Sequence, residues 1–430
     1  MKQKFAAFAL FSVMILLSIP ALKLGGSARL GQLAVLGVFF LALTDDLLEK
    51  RLNMKILLFF WIGAAVLSLI SMNSVAPKFG EQKFLIKYFL IFPASFYVGY
   101  KFVDTIDLKK LILFMEIVVF IFCLNALLIN LNLMPGFIKN LIVSYRTSFV
   151  GNSLYLEYQG TFAEAGWFAM TTEATALFAL LLRYDFSVWP KNRWWSILLY
   201  TFVFVSLALS KNKTIWLAMV FIAAFFIVYK AIIALTRTNY YMPDRIRYRD
   251  RLVYRLSKLD TNKMLFLIIF TILLFVVINN ILPQPIISGA MLAEKLQHER
   301  GKAFMIVSDL LAKTDWVGGY GFGFVEAYFT LFPQGVIGLG EGTGMIFNSY
   351  LDVWLSASIA GLIFHLMIVY FSSSSRYYVT MVVPMFFFIY ANFNPAIGDE
   401  YYYIFMGMSY GIATLCRNTK AVAAVKEYNA

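Results

Sequence analysis

Apolar runs of near-spanning length, about 17 to 25 residues, recur from one end of this chain to the other. They fall at roughly 5–21, 30–44, 56–73, 84–100, 111–132, 165–182, 194–209, 214–235, 264–282, 347–371, 377–393 and 402–416. With 61% of its 430 residues hydrophobic, the chain is no ordinary soluble domain. Inside lipid every backbone N–H and C=O must bond within the protein, which leaves helices or a closed barrel. The ten-residue alternation of a membrane barrel is missing, so helices are expected throughout. The expected fold is all-α, a polytopic membrane protein of about twelve spans treated as one domain, 1–430. Its first run follows Lys2 and Lys4 with no small-x-small cleavage site after it, so it reads as a retained span.

Net charge is +13, and its distribution argues against nucleic acid as the partner. With the amino terminus inside, 24 of the 37 Lys and Arg fall on the inner side and 13 on the outer. The inner group includes Lys50, Arg51, Lys55, Lys101, Lys109, Lys110, Arg183, Lys191, Arg193 and the basic loop 236–263. This is the positive-inside bias. The loop faces anionic lipid headgroups, and both termini are cytoplasmic. The long segment 283–346, between the ninth and tenth runs, then lies outside.

Positive-inside bias does not account for the outer cations. Arg146 follows the fifth run, ahead of G-T-F-A-E-A-G, which contains Glu164. Lys211 and Lys213 stand in L-S-K-N-K-T, the tight turn between the seventh and eighth runs. Arg300 and Lys302 open the amphipathic stretch to Lys313, whose Ala303, Ile306, Val307, Leu310 and Leu311 share one apolar face. Snorkelling anchors are the competing explanation for such cations. Together they suit an anion at the membrane surface, because Arg offers a planar fork matched to phosphate and Lys a point charge.

Several ionisable residues fall inside the apolar runs: Lys87, Glu116, Glu173 and His365. Charge is costly there and raises a functional question, although interhelical hydrogen bonding explains Glu116 equally well. His298, beside Glu299 and Arg300, is an outer-loop histidine. Cys123 and Cys416 lie in apolar runs and read as small buried hydrophobes. No metal-ligand spacing, P-loop or dinucleotide fingerprint occurs, so no cofactor and no metal are expected.

Three short segments, in order, resemble the bacterial O-antigen polymerase (Wzy-type) and O-antigen ligase superfamily of GT-C membrane glycosyltransferases. L-S-K-N-K-T is similar to the family's L-S-x-S-R-T turn, with Lys213 where Arg is usual. Arg300, Phe304 and the later G-G-Y-G-F-G resemble its R-x3-W…GxGxG stretch. F-N-S-Y-L, from Phe347 to Leu351, with the S-I-A-G-L-I after it, resembles its H-N-x-Y-L…G-x-x-G-L segment. The resemblance implies a periplasmic catalytic loop at 283–346, a multi-pass protein of the inner membrane, and a glycan on undecaprenyl diphosphate as substrate. A chain-length regulator protein is a further implied partner. Arg300 and Arg146 would clamp the diphosphate, with Lys211, Lys213, Lys302 and Asn348 also binding substrate.

Phe347 stands where the ligases carry the histidine held to activate the acceptor hydroxyl, and phenylalanine takes no proton. That favours polymerase over ligase and calls for a carboxylate as base. Glu341 is the first candidate and Glu164 the second, with Asp352, Asp399 and Glu400 behind them. Fixed cations around the leaving diphosphate would supply most of the catalysis. A lipid-linked oligosaccharide flippase or a secondary transporter is the competing class. Against it, no repeat relates the first six runs to the last six, and polar residues concentrate in the outer loops.

Overall fold

The computed structural model describes residues 3–23, 29–50, 52–72, 81–143, 147–150, 153–156, 158–188, 193–212, 214–225, 299–315, 317–325, 328, 348–374 and 377–428. Within these the chain is all-α apart from one hairpin. The helices are α1 (Gln3–Leu17), α2 (Leu30–Leu48), α3 (Met54–Met72), α4 (Glu81–Ile86), α5 (Phe92–Thr105), α6 (Leu108–Asn130) and α7 (Gly136–Ile142). After the hairpin come α8 (Ala165–Phe186), α9 (Arg193–Leu209), α10 (Thr214–Phe225), α11 (Glu299–Ala312), α12 (Ser349–Ser372), α13 (Tyr378–Ala391) and α14 (Glu400–Tyr428). Among the described residues five helices, α2, α3, α6, α8 and α12, are long and apolar enough to cross a membrane. The apolar runs read from the sequence fall on helices as far as the described residues reach, and run 264–282 lies outside them.

Local chemistry sets the ends. Asp107 opens α6 by accepting the Lys109 N–H at 3.0 Å, and 23 residues then carry the helix roughly 34 Å at 1.5 Å each. Asp185, at the end of α8, accepts from the N–H groups of Tyr378 (3.0 Å) and Val379 (2.8 Å), capping a different helix, α13. Proline decides two interiors. Pro93 has no N–H for the Phe89 carbonyl, and a π-turn at Lys87–Ile91 joins α4 to α5 there. The freed carbonyl takes the Trp61 indole N–H at 3.0 Å. Pro384 leaves the Thr380 carbonyl without its helical donor, and the Ser374 N–H fills it at 3.1 Å.

The centre is the crossing of α5 and α14. A Cβ on Gly99 would collide with the Ile404 carbonyl, and one on Gly407 with the Phe96 carbonyl, so only glycine lets the two backbones meet. Tyr97, Phe102, Tyr402, Tyr403 and Phe405 are fully enclosed around this crossing.

Contacts between helices sort into two ends. At one, Gln32 Nε2 donates to Glu400 Oε1 (2.6 Å), Lys87 Nζ to the Gly398 carbonyl (3.1 Å), Ser349 Oγ to the Asn394 carbonyl (2.9 Å) and Tyr390 to the Gly166 carbonyl (2.8 Å). At the other, Asp46 meets Tyr97 and Lys101, Arg183 meets Glu116, and Asp185 caps α13. Hereafter these are the Gly398 end and the Asp185 end.

Two features are absent from the sequence reading. Strands Thr147–Val150 and Ser153–Leu156 pair antiparallel, Val150 opposite Ser153. The signal was present, since T-S-F-V and S-L-Y-L, rich in β-branched and aromatic residues, flank the two-residue turn Gly151-Asn152. The second is a break in α12 at Ala357 (φ −121°, ψ 20°) and Ser358 (φ 65°, ψ −177°). The glycine-rich stretch, expected as outer loop, docks into this break. Tyr320 and Gly321 donate their N–H groups to the carbonyls of Leu355 (2.8 Å) and Ser356 (2.9 Å), while Ile359 N–H donates to Val317 (3.3 Å). A broken helix exposes backbone groups that lipid cannot satisfy, and this strap satisfies them.

Candidate functional site

Helix α11 carries the amphipathic face read from the sequence. Val307, Leu310 and Leu311 are buried against Phe324, Val325 and Leu355, so α11, the strap and the first half of α12 share an apolar cluster of their own. Arg300 and Lys302 lie in the first turn of α11, their side chains outside the described part. Arg146, Lys213 and Glu341 also lie outside the described residues.

Asn348 is the N-cap of α12, its Oδ1 accepting from the N–H groups of Tyr350 and Leu351, each at 3.0 Å. This employs the carbonyl end of the side chain as a cap. The neighbouring Ser349 ties the start of α12 to the loop after α13, accepting from Ala396 N–H at 2.7 Å.

The L-S-K-N-K-T turn is built from its own side chains. Lys211 stops α9 in the left-handed conformation (φ 55°), and Asn212 Oδ1 caps α10 by accepting from Thr214 N–H at 2.9 Å. Asn212 Nδ2 donates to the Tyr390 hydroxyl at 3.3 Å, and Tyr390 donates to the Gly166 carbonyl. From an ideal Cβ on Gly166, Asn212 Nδ2 lies at 3.4 Å, the Tyr390 hydroxyl at 3.6 Å and Glu164 Oε1 at 3.8 Å. Glu164, the half-buried N-cap of α8, and Asn212 of the lysine-bearing turn thus both flank Gly166 at the Gly398 end.

The same end holds a second carboxylate group. Asp399 and Glu400 are both buried where α14 opens, with Gln32 on Glu400 and Lys87 on the adjoining Gly398 carbonyl. Asp399 Oδ1 accepts from Tyr401 N–H at 2.7 Å. Burial and the neighbouring Glu400 push the Asp399 carboxyl from 3.8 up to about 7, and Arg29 and Lys87 oppose that rise.

Beneath it lies a polar, aromatic layer. Tyr88, from the π-turn, shares a 2.9 Å hydrogen bond with His365 Nε2 on α12, and its ring lies 5.0 Å from Phe322 of the strap. Tyr403 stacks on Phe92 at 4.1 Å and meets Tyr402 edge-on at 5.0 Å. Tyr403 OH, His365 Nδ1 and Asn394 Nδ2 are buried with no hydrogen-bond partner among the described residues.

The intramembrane charges divide between structural and open roles. Glu116 forms a paired salt bridge with Arg183, which the sequence reading assigned to the inner-face cations. Lys101, assigned likewise, pairs with buried Asp46. Glu173 is buried on α8. Cys123 is a buried free thiol, in keeping with its reading as a small hydrophobe. Among the described residues no three His, Cys, Asp or Glu side chains gather closely enough to hold a metal ion.

Among the described residues the architecture is all-α, with five long apolar helices consistent with a multi-spanning membrane protein and buried polar groups at both ends of the bundle. Compared with protein-family models and with curated proteins, the chain gives no match in either comparison.

Proposed function

We propose that the chain is a surface-polysaccharide polymerase of twelve spans, joining undecaprenyl-diphosphate-linked repeat units by glycosyl transfer at the outer face of the bacterial inner membrane. The observation that carries this reading is the gathering, at the Gly398 end, of acids and cations from distant parts of the chain. Glu164 and Asn212 flank Gly166, Gln32 bonds Glu400, Lys87 bonds the adjoining Gly398 carbonyl, and the charge of Arg29 bears on Asp399. Helix α11, which bears Arg300 and Lys302, docks through the strap on the half of α12 that starts beside Asn348.

In this reaction the anomeric carbon leaves undecaprenyl diphosphate and bonds to an acceptor hydroxyl. Arg300, Arg146 and the lysines hold the diphosphate as it gains charge, and a carboxylate takes the hydroxyl proton. The polymerase reading is preferred to the ligase because Phe347 cannot act as a base.

A flippase or transporter is the second reading, favoured by the break in α12, since interrupted helices build transporter sites. One comparison separates the three activities. A strain lacking the chain should make surface glycan of a single repeat unit if it is the polymerase. Complete loss of attached glycan marks the ligase, and lipid-linked repeat trapped on the cytoplasmic side marks the flippase. Arg300→Ala should reproduce the single-repeat profile at normal protein level, and Arg300→Lys should restore part of the long polymer, because a point charge replaces the fork. Wild-type polymer from Arg300→Ala would remove that residue from the site.

A further inference from the structure

Asp399 and Glu400 are held differently from three buried acids at the Asp185 end. Glu116 is paired by Arg183, Asp46 by Lys101, and Asp185 is spent as a cap on α13. Asp399 has one oxygen fixed by Tyr401 N–H, and no described residue donates to Oδ2. Glu400 is held on one oxygen by Gln32.

Their surroundings suit a polyhydroxylated ligand. Gly398 is exposed, with no atom within 4 Å of where its Cβ would stand, so the backbone one residue before the buried acid pair faces open space. Buried polar atoms are nearly always paired, yet Asn394 Nδ2, Tyr403 OH and His365 Nδ1 find no partner among the described residues. Tyr403 lies one turn along α14 from Asp399 and Glu400, its ring 5.0 Å from that of Tyr402 and 6.3 Å from that of His365. Hydroxyl, amide and imidazole groups beside tyrosine faces are the chemistry that recognises a sugar ring.

We infer that the Asp399–Glu400 pair is the acceptor subsite, where Asp399 Oδ2 takes the proton from the acceptor sugar hydroxyl while Glu400 and Asn394 hold its neighbouring hydroxyls. This rests on the glycosyl-transfer reading above. The acceptor oxygen bonds to the donor's anomeric carbon, the carbon–oxygen bond to diphosphate breaks with its electron pair on the leaving lipid diphosphate, and the proton passes to Asp399. Glu164 and Glu341 are then not the base. The charged groups bearing on Asp399 are Glu400 on α14, Arg29 at the start of α2 and Lys87 on the π-turn, with the Tyr401 hydroxyl beside them.

The test uses the full chain, purified in detergent, with undecaprenyl-diphosphate-linked repeat unit extracted from a strain lacking it. Asp399→Asn should lower kcat by about 10²-fold or more while leaving KM within a small factor, and Asp399→Glu should recover part of the rate. The wild-type rate should fall as pH drops below about 7, and Asp399→Asn should lose that limb. Should Asp399→Asn fail to fold, the wild-type pH profile decides, and a rate flat from about pH 5.5 to about 8.5 overturns the inference. A folded Asp399→Asn protein with wild-type kcat overturns it as well. Polymer from the wild type with no effect at Asp399 defeats this inference alone, whereas no polymer from the wild type defeats the functional reading beneath it.

Discussion

Arg183 grips Glu116 with two parallel hydrogen bonds, Nε to Oε1 and Nη2 to Oε2, each 2.6 Å long. Tyr200 adds a bond to Oε1 at 3.2 Å, and Arg183 Nη1 reaches the Val188 carbonyl at 2.8 Å. Three helices, α6, α8 and α9, are joined through this one pair. Removing one partner strands a buried charge, so Arg183→Met and Glu116→Gln should each destabilise the protein, Arg183→Met by about 3–5 kcal/mol. Combining Arg183→Met with Glu116→Leu should recover most of the loss. Thermal unfolding in detergent gives the comparison, and additive losses in the double variant would show that the pair is not coupled.

Gly319 sits against the broken backbone of α12, and a Cβ there would overlap the Ser358 nitrogen. Gly319→Ala should therefore push the strap out of the break, at a cost of about 1–3 kcal/mol. Cysteines at Tyr320 and Leu355, whose backbones hydrogen-bond at 2.8 Å, report the geometry directly. Their cross-linking should slow sharply in the Gly319→Ala background, and an unchanged rate would place the strap elsewhere.

The Asp399 carboxyl binds its proton more tightly in the folded chain than in the unfolded one, about 7 against 3.8. Its contribution to stability is thus full below 3.8 and declines as pH rises through about 7, because the folded state then holds a buried charge. Between about pH 5 and about pH 8 the wild type should lose stability relative to Asp399→Asn. Parallel melting curves of the two proteins across that window would sink the prediction.

Glu164 provides a contrasting acid. If proton transfer belongs to Asp399, Glu164→Gln should keep long-chain polymer within a few-fold of wild type, because glutamine keeps the size and polarity of a side chain that makes no capping bond to α8. If Glu164 is the base, the same change should lower polymer by about two orders of magnitude. Gel profiles of surface glycan from the two variants side by side read this out.

The sidedness of the bundle gives the last expectation. Cysteine in place of Arg249 should be shielded from impermeant thiol reagents in intact cells, and cysteine in place of Thr330 should react, following the 24-to-13 division of Lys and Arg. Reversed labelling would put the Arg300 segment on the cytoplasmic side and end the case for an outer site.

The sequence alone determined where helices form, because a backbone inside lipid has no other way to satisfy its polar groups. The apolar runs, the amphipathic face of Val307, Leu310 and Leu311, and the tight Lys211–Asn212 turn are all local patterns and were legible before any coordinates. What each charge does was not local. Arg183 and Lys101 looked like interface cations until their carboxylate partners arrived from helices 67 and 55 residues away. Asp399 stood behind Glu341 and Glu164 because nothing in G-D-E signals that Gln32 reaches Glu400 and Lys87 reaches the Gly398 carbonyl on either side of it. The break at Ser358 was hidden for the same reason. S-A-S-I-A-G is compatible with continuous helix, and the turn is stable only because the strap, about forty residues earlier, supplies the donors and acceptor the broken backbone lacks. Helix formation is decided by neighbours within a few residues. The pairing of buried polar groups is decided by whichever segments the packed bundle brings together, and only the tertiary structure fixes that choice.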